Sequence, residues 1–283
     1  MATLAIQSND SLTTEKCFMD LPTDEEKKQI EEMRALLKED LATAVCASFP
    51  EIVSDFKFIR YLRGYGSVEE GVKAYRKMLT TRAKYTHVDE MRKLIGEDIE
   101  NTGINGKQPD FLKYAKDENE KKVLKFADLE KALWGMTADG IPYTYRCYAN
   151  MDPDAAFDGM GGDPTQCADL LDKFNTIKGV LSELKFDALS RKRGKVARMI
   201  WVADQTGISF AKIRRLMKGK PWDKEFAKRY PKDEEKRDPW DTFMPEIGGI
   251  IILMNIPWCK YIFFSLKSSL VYIFTHLEVT FKL

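Results

Sequence analysis

The sequence predicts an α/β protein: a helical N-terminal lobe, residues 21–100, precedes a second lobe, residues 101–283, with a β-sheet floor and flanking helices. Three observations predict it. Two capping boxes and apolar residues at helical spacing fill most of the first hundred positions. An Ala138-Asp139-Gly140 turn joins two strand-like runs, a strong hairpin signal. Two further apolar runs of strand length, Ala197–Ala203 and Gly248–Met254, alternate with helical stretches, as internal strands of an α/β sheet do.

Residues 1–20 are polar and expected to be loose. Thr23 and Glu26 open a helix whose apolar positions are Ile30, Met33, Leu37, Leu41 and Val45, ending before Pro50. A short helix follows over Ile52–Leu62, with Phe56, Ile59 and Leu62 on one face; Gly64 and Gly66 break it. Ser67 and Glu70 start the next helix, with Val68, Val72, Tyr75 and Leu79 inward, and Val88–Ile95 is another. Thr102–Pro109, rich in Gly, Asn and Pro, marks the boundary.

Leu133–Met136 and Tyr143–Tyr148 are the hairpin strands, and Asp152–Pro164 reads as loop. A long helix over Thr165–Leu189 carries Leu170, Leu171, Phe174, Ile177, Leu181 and Leu184. Arg191–Lys195 is a basic turn before the Ala197–Ala203 strand, and Asp204–Ser209 is that strand's exit loop. Lys212–Arg237 is highly charged, and Lys260–Phe274 has amphipathic helical character.

With 283 residues, 44% apolar and 31% charged, the chain has the composition of an ordinary globular protein with a sizeable core. A formal net charge of +1 argues against a general attraction to nucleic acid. Five scattered cysteines without CxxC spacing argue against a disulfide framework or a zinc site and point to a reducing compartment. The opening MATLAIQSNDSL lacks the basic-then-apolar pattern of a secretory signal. The apolar run from Ile247 to Phe274 is interrupted by Asn255, Pro257, Lys260 and Lys267, so a strand followed by an amphipathic helix is the more natural reading than a membrane span.

Signals for catalysis are poor. Asp204 ends a strand, where a catalytic acid could sit, but the only histidines are His87 and His276, neither in an acid/base context. Gly159, Gly161 and Gly162 lie in DGMGGDP, which has no Lys-Ser/Thr and reads as a surface loop rather than a phosphate loop. Lys212, Arg214, Arg215, Lys218 and Lys220 form a basic cluster with two open readings. It faces anionic lipid, or it is a solvated helix face balanced by Asp233, Glu234 and Glu235. Arg60 and Arg63 read as ion-pair partners near a helix end.

Four segments, taken in order, resemble the CRAL-TRIO family of lipid-binding proteins. Phe56–Tyr85, with Arg60, Leu62, Arg63, Val68, Ala74 and Arg82, is similar to its N-terminal helical motif. ADGIPYTYR, Ala138–Arg146, is similar to its Asp-x-x-Gly-Arg-Pro hairpin, with Ile141 in place of Arg. VADQTGIS, Val202–Ser209, resembles the strand ending in Asp-x-x-Gly. MPEIGGIIILMNIPW, Met244–Trp258, resembles the Tyr-Pro-Glu, strand, Asn-Ala-Pro-Trp signature, with Met244 for Tyr and Ile256 for Ala.

The resemblance implies an apolar pocket above the sheet, lined by Tyr143, Tyr145, Ile200, Val202, Ile251 and Leu253. A gate follows with Trp258, Ile262, Phe263, Leu266 and Leu270. Lys212, Arg215, Lys260 and Lys267 are its head-group or membrane-surface candidates, and Glu246 an anchor of the strand entry. It implies a non-enzymatic carrier that binds a phospholipid or isoprenoid-type lipid and presents or transfers it between membranes. The implied carrier needs no cofactor or metal, touches membranes transiently, binds no nucleic acid and is cytoplasmic, peripherally membrane-associated and monomeric. The alternative is a protein-interaction module of the same fold.

Three departures qualify the likeness. Tyr65-Gly66 stands where phosphatidylinositol binders carry basic residues, and Lys267 is shifted in register, so the likeness does not extend to phosphatidylinositol specificity and leaves the lipid open. The stretch Pro221–Pro239 lengthens the link between the two buried strands. The chain stops at Leu283, so the second lobe is expected to be incomplete at its C-terminus, with HLEVTFKL, His276–Leu283, as a substitute strand.

Overall fold

The structure is a computed structural model that describes residues 18–121, 133–229, 248–254 and 279–281. The architecture is mixed α/β, mostly helical, with one two-stranded and one five-stranded sheet.

Helix α1 (Asp24–Leu36) begins at the expected capping box: Glu26 N–H donates to Thr23 Oγ1 at 3.1 Å, and Thr23 N–H to Glu26 Oε2 at 2.8 Å. The helix does not run on to Val45. It breaks at Leu37, resumes as α2 (Lys38–Thr43), and Ala44 turns extended. That turn rotates the chain, so Cys46 is buried while Val45 is 61% exposed. Helix α3 (Asp55–Tyr65) starts at Ser54, whose hydroxyl accepts from Lys57 N–H. Gly64 lies inside it, and only Gly66, at φ +80°, supplies the left-handed stop. Helices α4 (Val68–Lys84, capped by Ser67) and α5 (His87–Ile95) complete the lobe. Its centre is aromatic: Tyr75 lies 4.8 Å from the rings of both Phe58 and Tyr61, and Arg34 covers Phe58 at 4.4 Å.

The hairpin pairs β2 (Leu133–Met136) with β3 (Pro142–Cys147), antiparallel. Asp152–Pro164 is not all loop: Asp152 caps a short helix, α6 (Pro153–Gly159), with proline at its first position. The long helix α7 (Pro164–Arg193) is capped by Asp163 and ends at Gly194, φ +59°. Beyond it, the expected strand is split. β4 (Val196–Ala197) pairs antiparallel with β1 (Phe18–Met19), so the end of the expected loose N-terminus is tied down. β5 (Met199–Asp204) enters the large sheet. The charged stretch forms α8 (Phe210–Met217) and α9 (Asp223–Arg229). β6 (Gly248–Met254) pairs with β5 on one side and with β7 (Val279–Phe281) on the other. The strand expected within His276–Leu283 is therefore present over three residues.

The large sheet has the order β2-β3-β5-β6-β7, and β3, β5, β6 and β7 run parallel. α7 is the crossover between β3 and β5, as parallel neighbours require. Leu170, Phe174, Ile177, Leu181 and Leu184 of α7 share one continuous core with α1, α3, α4 and α5. Each such side chain contributes about 1.5–3 kcal/mol by leaving water, so α7 is the main fastening between the lobes. Among the described residues no helix is long and apolar enough to cross a membrane. The first part of the apolar run 247–274 is instead strand β6.

Candidate functional site

Side chains alternate across a strand, so register decides which residues can line one surface. Tyr143 pairs with Ile200 and Tyr145 with Val202, which places these four on one face of the sheet. Leu133 joins them as the partner of Tyr145, and Gly135 as the partner of Tyr143. A side chain at Gly135 would meet the Tyr143 ring at 2.5 Å, so glycine there lets the ring approach the strand backbone. Tyr143, Tyr145 and Val202 are half-buried, Ile200 is buried, and Leu133 is 60% exposed.

The opposite face packs on helices. Trp134, next in strand to Leu133, meets Phe111 at 6.1 Å, and Phe111 meets Phe174 of α7 at 4.9 Å. Thr144, the partner of Trp134, is buried. That face is covered around Trp134 and Thr144, while Trp201 and Ala203 further along it are half-buried. On the other face Ile200 belongs to a core cluster with Phe186 and Leu189 of α7, and the half-buried Tyr145 and Val202 carry the candidate surface.

The pocket expectation needs one correction. β6 pairs Ile250 with Ile200 and Ile252 with Val202, while Ile251 and Leu253 pair with Trp201 and Ala203. A β-bulge at Met199/Ile200 sets this register. The six expected pocket positions therefore fall on both faces, and Ile250 and Ile252 are the β6 positions in register with the candidate surface. The gate residues Trp258, Ile262, Phe263, Leu266 and Leu270 lie outside the described residues, as do Lys260, Lys267, Glu246 and His276.

Asp204 closes the C-terminal end of this face. Tyr145 Oη donates to its Oδ2 at 2.5 Å, and Thr206 donates to Oδ1 from both N–H (2.8 Å) and Oγ1 (2.7 Å). The Asp204 hydrogen bond, with burial and the Asp204 charge, pushes the Tyr145 phenol up to about 12. The carboxylate thus locks the turn after β5 to β3, and Gly207, at φ +71°, lets the turn close. His87 stands 3.8 Å from Asp172 on α7, away from this face.

The other charged candidates separate. Arg63 makes the expected ion pair, holding both Glu26 carboxylate oxygens at 2.7 and 2.9 Å. That hydrogen bond outweighs the opposing effect of burial and holds Glu26 down at about 2. Arg60 donates to the Ala197 carbonyl, tying α3 to β4. Arg215 grips Asp154 on α6 with two guanidinium nitrogens and donates to the Gly219 carbonyl at 2.7 Å. Lys212 is on the same helix, half-exposed.

Sequence reasoning missed a buried charge network. Glu183 of α7 pairs with Lys57 of α3 and, at 2.8 Å, with Arg82 of α4, and Arg82 also donates to Asp89 of α5 at 2.9 Å. Burial alone would raise the Glu183 carboxyl, but the two cations reverse that and hold it at about 2. For Lys57 burial outweighs the attraction of Glu183 and lowers its pKa. Lys185, two positions on, is also buried and, by desolvation alone, pulled down to about 8. The available signal was the charge of Glu183 and Lys185 beside the apolar positions Leu181 and Leu184 of this helix.

No family model and no curated protein matches this chain. Among solved structures, the crystal structure of Sfh5 is similar at 13% identity, covering 92% of this chain and 82% of that chain, with a TM-score of 0.47. At that identity and score the likeness defines neither family nor activity.

Proposed function

We propose that this chain is a non-enzymatic carrier that binds a hydrophobic ligand, of phospholipid or isoprenoid type, and moves it between membranes. The observation that carries this reading is the single surface formed by Tyr143, Tyr145, Ile200 and Val202, in register with Ile250 and Ile252. On the opposite face Trp134 is covered by Phe111 and Phe174, whereas Tyr145 and Val202 on this face stay half-buried, which favours this side for the ligand. Three of the four resembling segments fall on the sheet that carries this surface, the β2–β3 hairpin, the end of β5 and β6, and the first falls on α3–α4 of the N-terminal lobe.

The physics suits a carrier. Each methylene that leaves water contributes about 0.8 kcal/mol, so a two-chain lipid escapes a bilayer slowly unless a second apolar environment meets it. An apolar sheet face with phenol hydroxyls at its rim offers that environment and a polar contact for the ligand's end. Asp204 is engaged by Tyr145 and Thr206, which favours a structural over a catalytic role. The proposed setting is cytoplasmic, with peripheral membrane contact.

Transfer of a fluorescent phospholipid between donor and acceptor vesicles tests the function. Saturable transfer that falls at least tenfold in Val202→Trp supports it. A rate equal to spontaneous exchange contradicts it.

A further inference from the structure

The segment from Phe210 to Arg229 carries eight lysines and arginines against two carboxylates, in a chain whose net charge is only +1. Its position on the molecule is fixed by internal contacts. Arg215 is held by Asp154, Trp222 is buried beside Phe157, and Arg229 pairs with Asp169. Lys228 pairs with Glu225 at 2.7 Å.

Those contacts sort the cations into two groups. Among the described residues, Lys212, Arg214, Lys218, Lys220 and Lys224 have no carboxylate within ion-pair distance. Three of them, Arg214, Lys218 and Lys220, are exposed on or just past α8. On the same helix face, one turn before Arg214, stands Phe210, 68% exposed. An aromatic ring left in water at the head of a row of unpaired cations is unfavourable in isolation. It suits an interface that takes the ring into an apolar layer and the cations against negative charge.

We propose that α8 is a docking element for an anionic membrane surface, with Phe210 entering the interface and Arg214, Lys218 and Lys220 facing acidic lipid head groups. The choice of a membrane as the partner rests on the carrier reading above. Arg215, which the sequence placed among the surface candidates, serves instead to hold α8 against α6, so the contact residues are its outward neighbours. Attraction of this kind acts over about a Debye length and weakens with salt.

The test is co-sedimentation of the full chain with phosphatidylcholine vesicles, with and without phosphatidylserine, at several salt concentrations. Native mass spectrometry of the same samples records any bound lipid. The expected result is salt-sensitive binding to the phosphatidylserine vesicles only. Each of Arg214→Gln, Lys218→Gln and Lys220→Gln should weaken it roughly fivefold, and Phe210→Ser should weaken it severalfold at unchanged salt sensitivity. All four positions are exposed, so the single variants keep the fold, and a melting curve checks this.

Binding that ignores phosphatidylserine, or that survives the combined charge variant, overturns the proposal. So does tighter binding to a DNA duplex that the same variants abolish. A wild-type protein without lipid that still docks through these residues removes the carrier reading alone. A lipid-loaded protein whose docking is indifferent to them removes the docking proposal alone.

Discussion

Lys57 of α3 and Glu183 of α7 form an ion pair buried on both sides, although 126 positions separate them in the chain. Arg82 shares the same carboxylate at 2.8 Å, so one acid on the crossover helix holds two cations of the N-terminal lobe. A buried pair of this kind adds little net stability when intact, because desolvation offsets attraction. Losing one member is costly, because the remaining charge stays buried. Glu183→Gln should therefore destabilise the protein by about 3–5 kcal/mol, and Lys57→Met by less, since Arg82 still answers the carboxylate. Urea unfolding measures both. Equal losses would mean the network is not shared as described.

Acid should loosen the same junction. Glu183 and Glu26 are held at about 2 in the folded chain, against an ordinary 4.5. A lowered carboxylate pKa gives stability that is fully present above the unfolded value and is lost as pH falls through the folded one. Stability should therefore drop between about pH 4.5 and pH 2, and the drop should shrink in Glu183→Gln. A pH series of denaturation midpoints checks it.

Lys185 is a stability reserve. Its ammonium is buried with no carboxylate within ion-pair distance among the described residues, and desolvation lowers it to about 8. Folding is thus opposed while the lysine is charged, and this contribution improves as pH rises from about 8 towards 10.5. Lys185→Met keeps the packing without the charge and should stabilise the fold by about 1–3 kcal/mol at pH 7. A lower melting temperature in that variant would show that the ammonium is held by something it needs.

Gly135 and Tyr143 are matched across the hairpin. A side chain at Gly135 would strike the phenol ring at 2.5 Å. Gly135→Val should displace the ring from the proposed ligand surface at a cost of about 1–3 kcal/mol. Lipid uptake should fall by more than that loss of stability explains, which a ligand titration set against a melting curve would separate.

Much of the fold was legible in the sequence, for local reasons. Thr23-Glu26 and Ser67 cap their helices as written, Gly140 closes the hairpin at φ +71°, and Gly248–Met254 is a strand. What was not legible depends on contacts distant in the chain. Strand β4 breaks away from β5 because Phe18 and Met19 pair with it. The bulge at Met199/Ile200 shifts β6 by one residue, which moves Ile251 and Leu253 off the face shared by Tyr145 and Val202. No alternation pattern reports a bulge in a neighbouring strand. The Lys57–Glu183–Arg82 network was hidden for the same reason: the charge of Glu183 on α7 shows its purpose only when its partners from two other helices, α3 and α4, are brought to it.

The central claim is that the Tyr143–Tyr145–Ile200–Val202 surface holds a lipid. Native mass spectrometry of the purified full chain, with extraction and identification of anything bound, tests it most directly. The account predicts a stoichiometric hydrophobic ligand that is retained by the wild type and lost from Val202→Trp. A protein that carries no lipid as purified and takes up none from vesicles would contradict it.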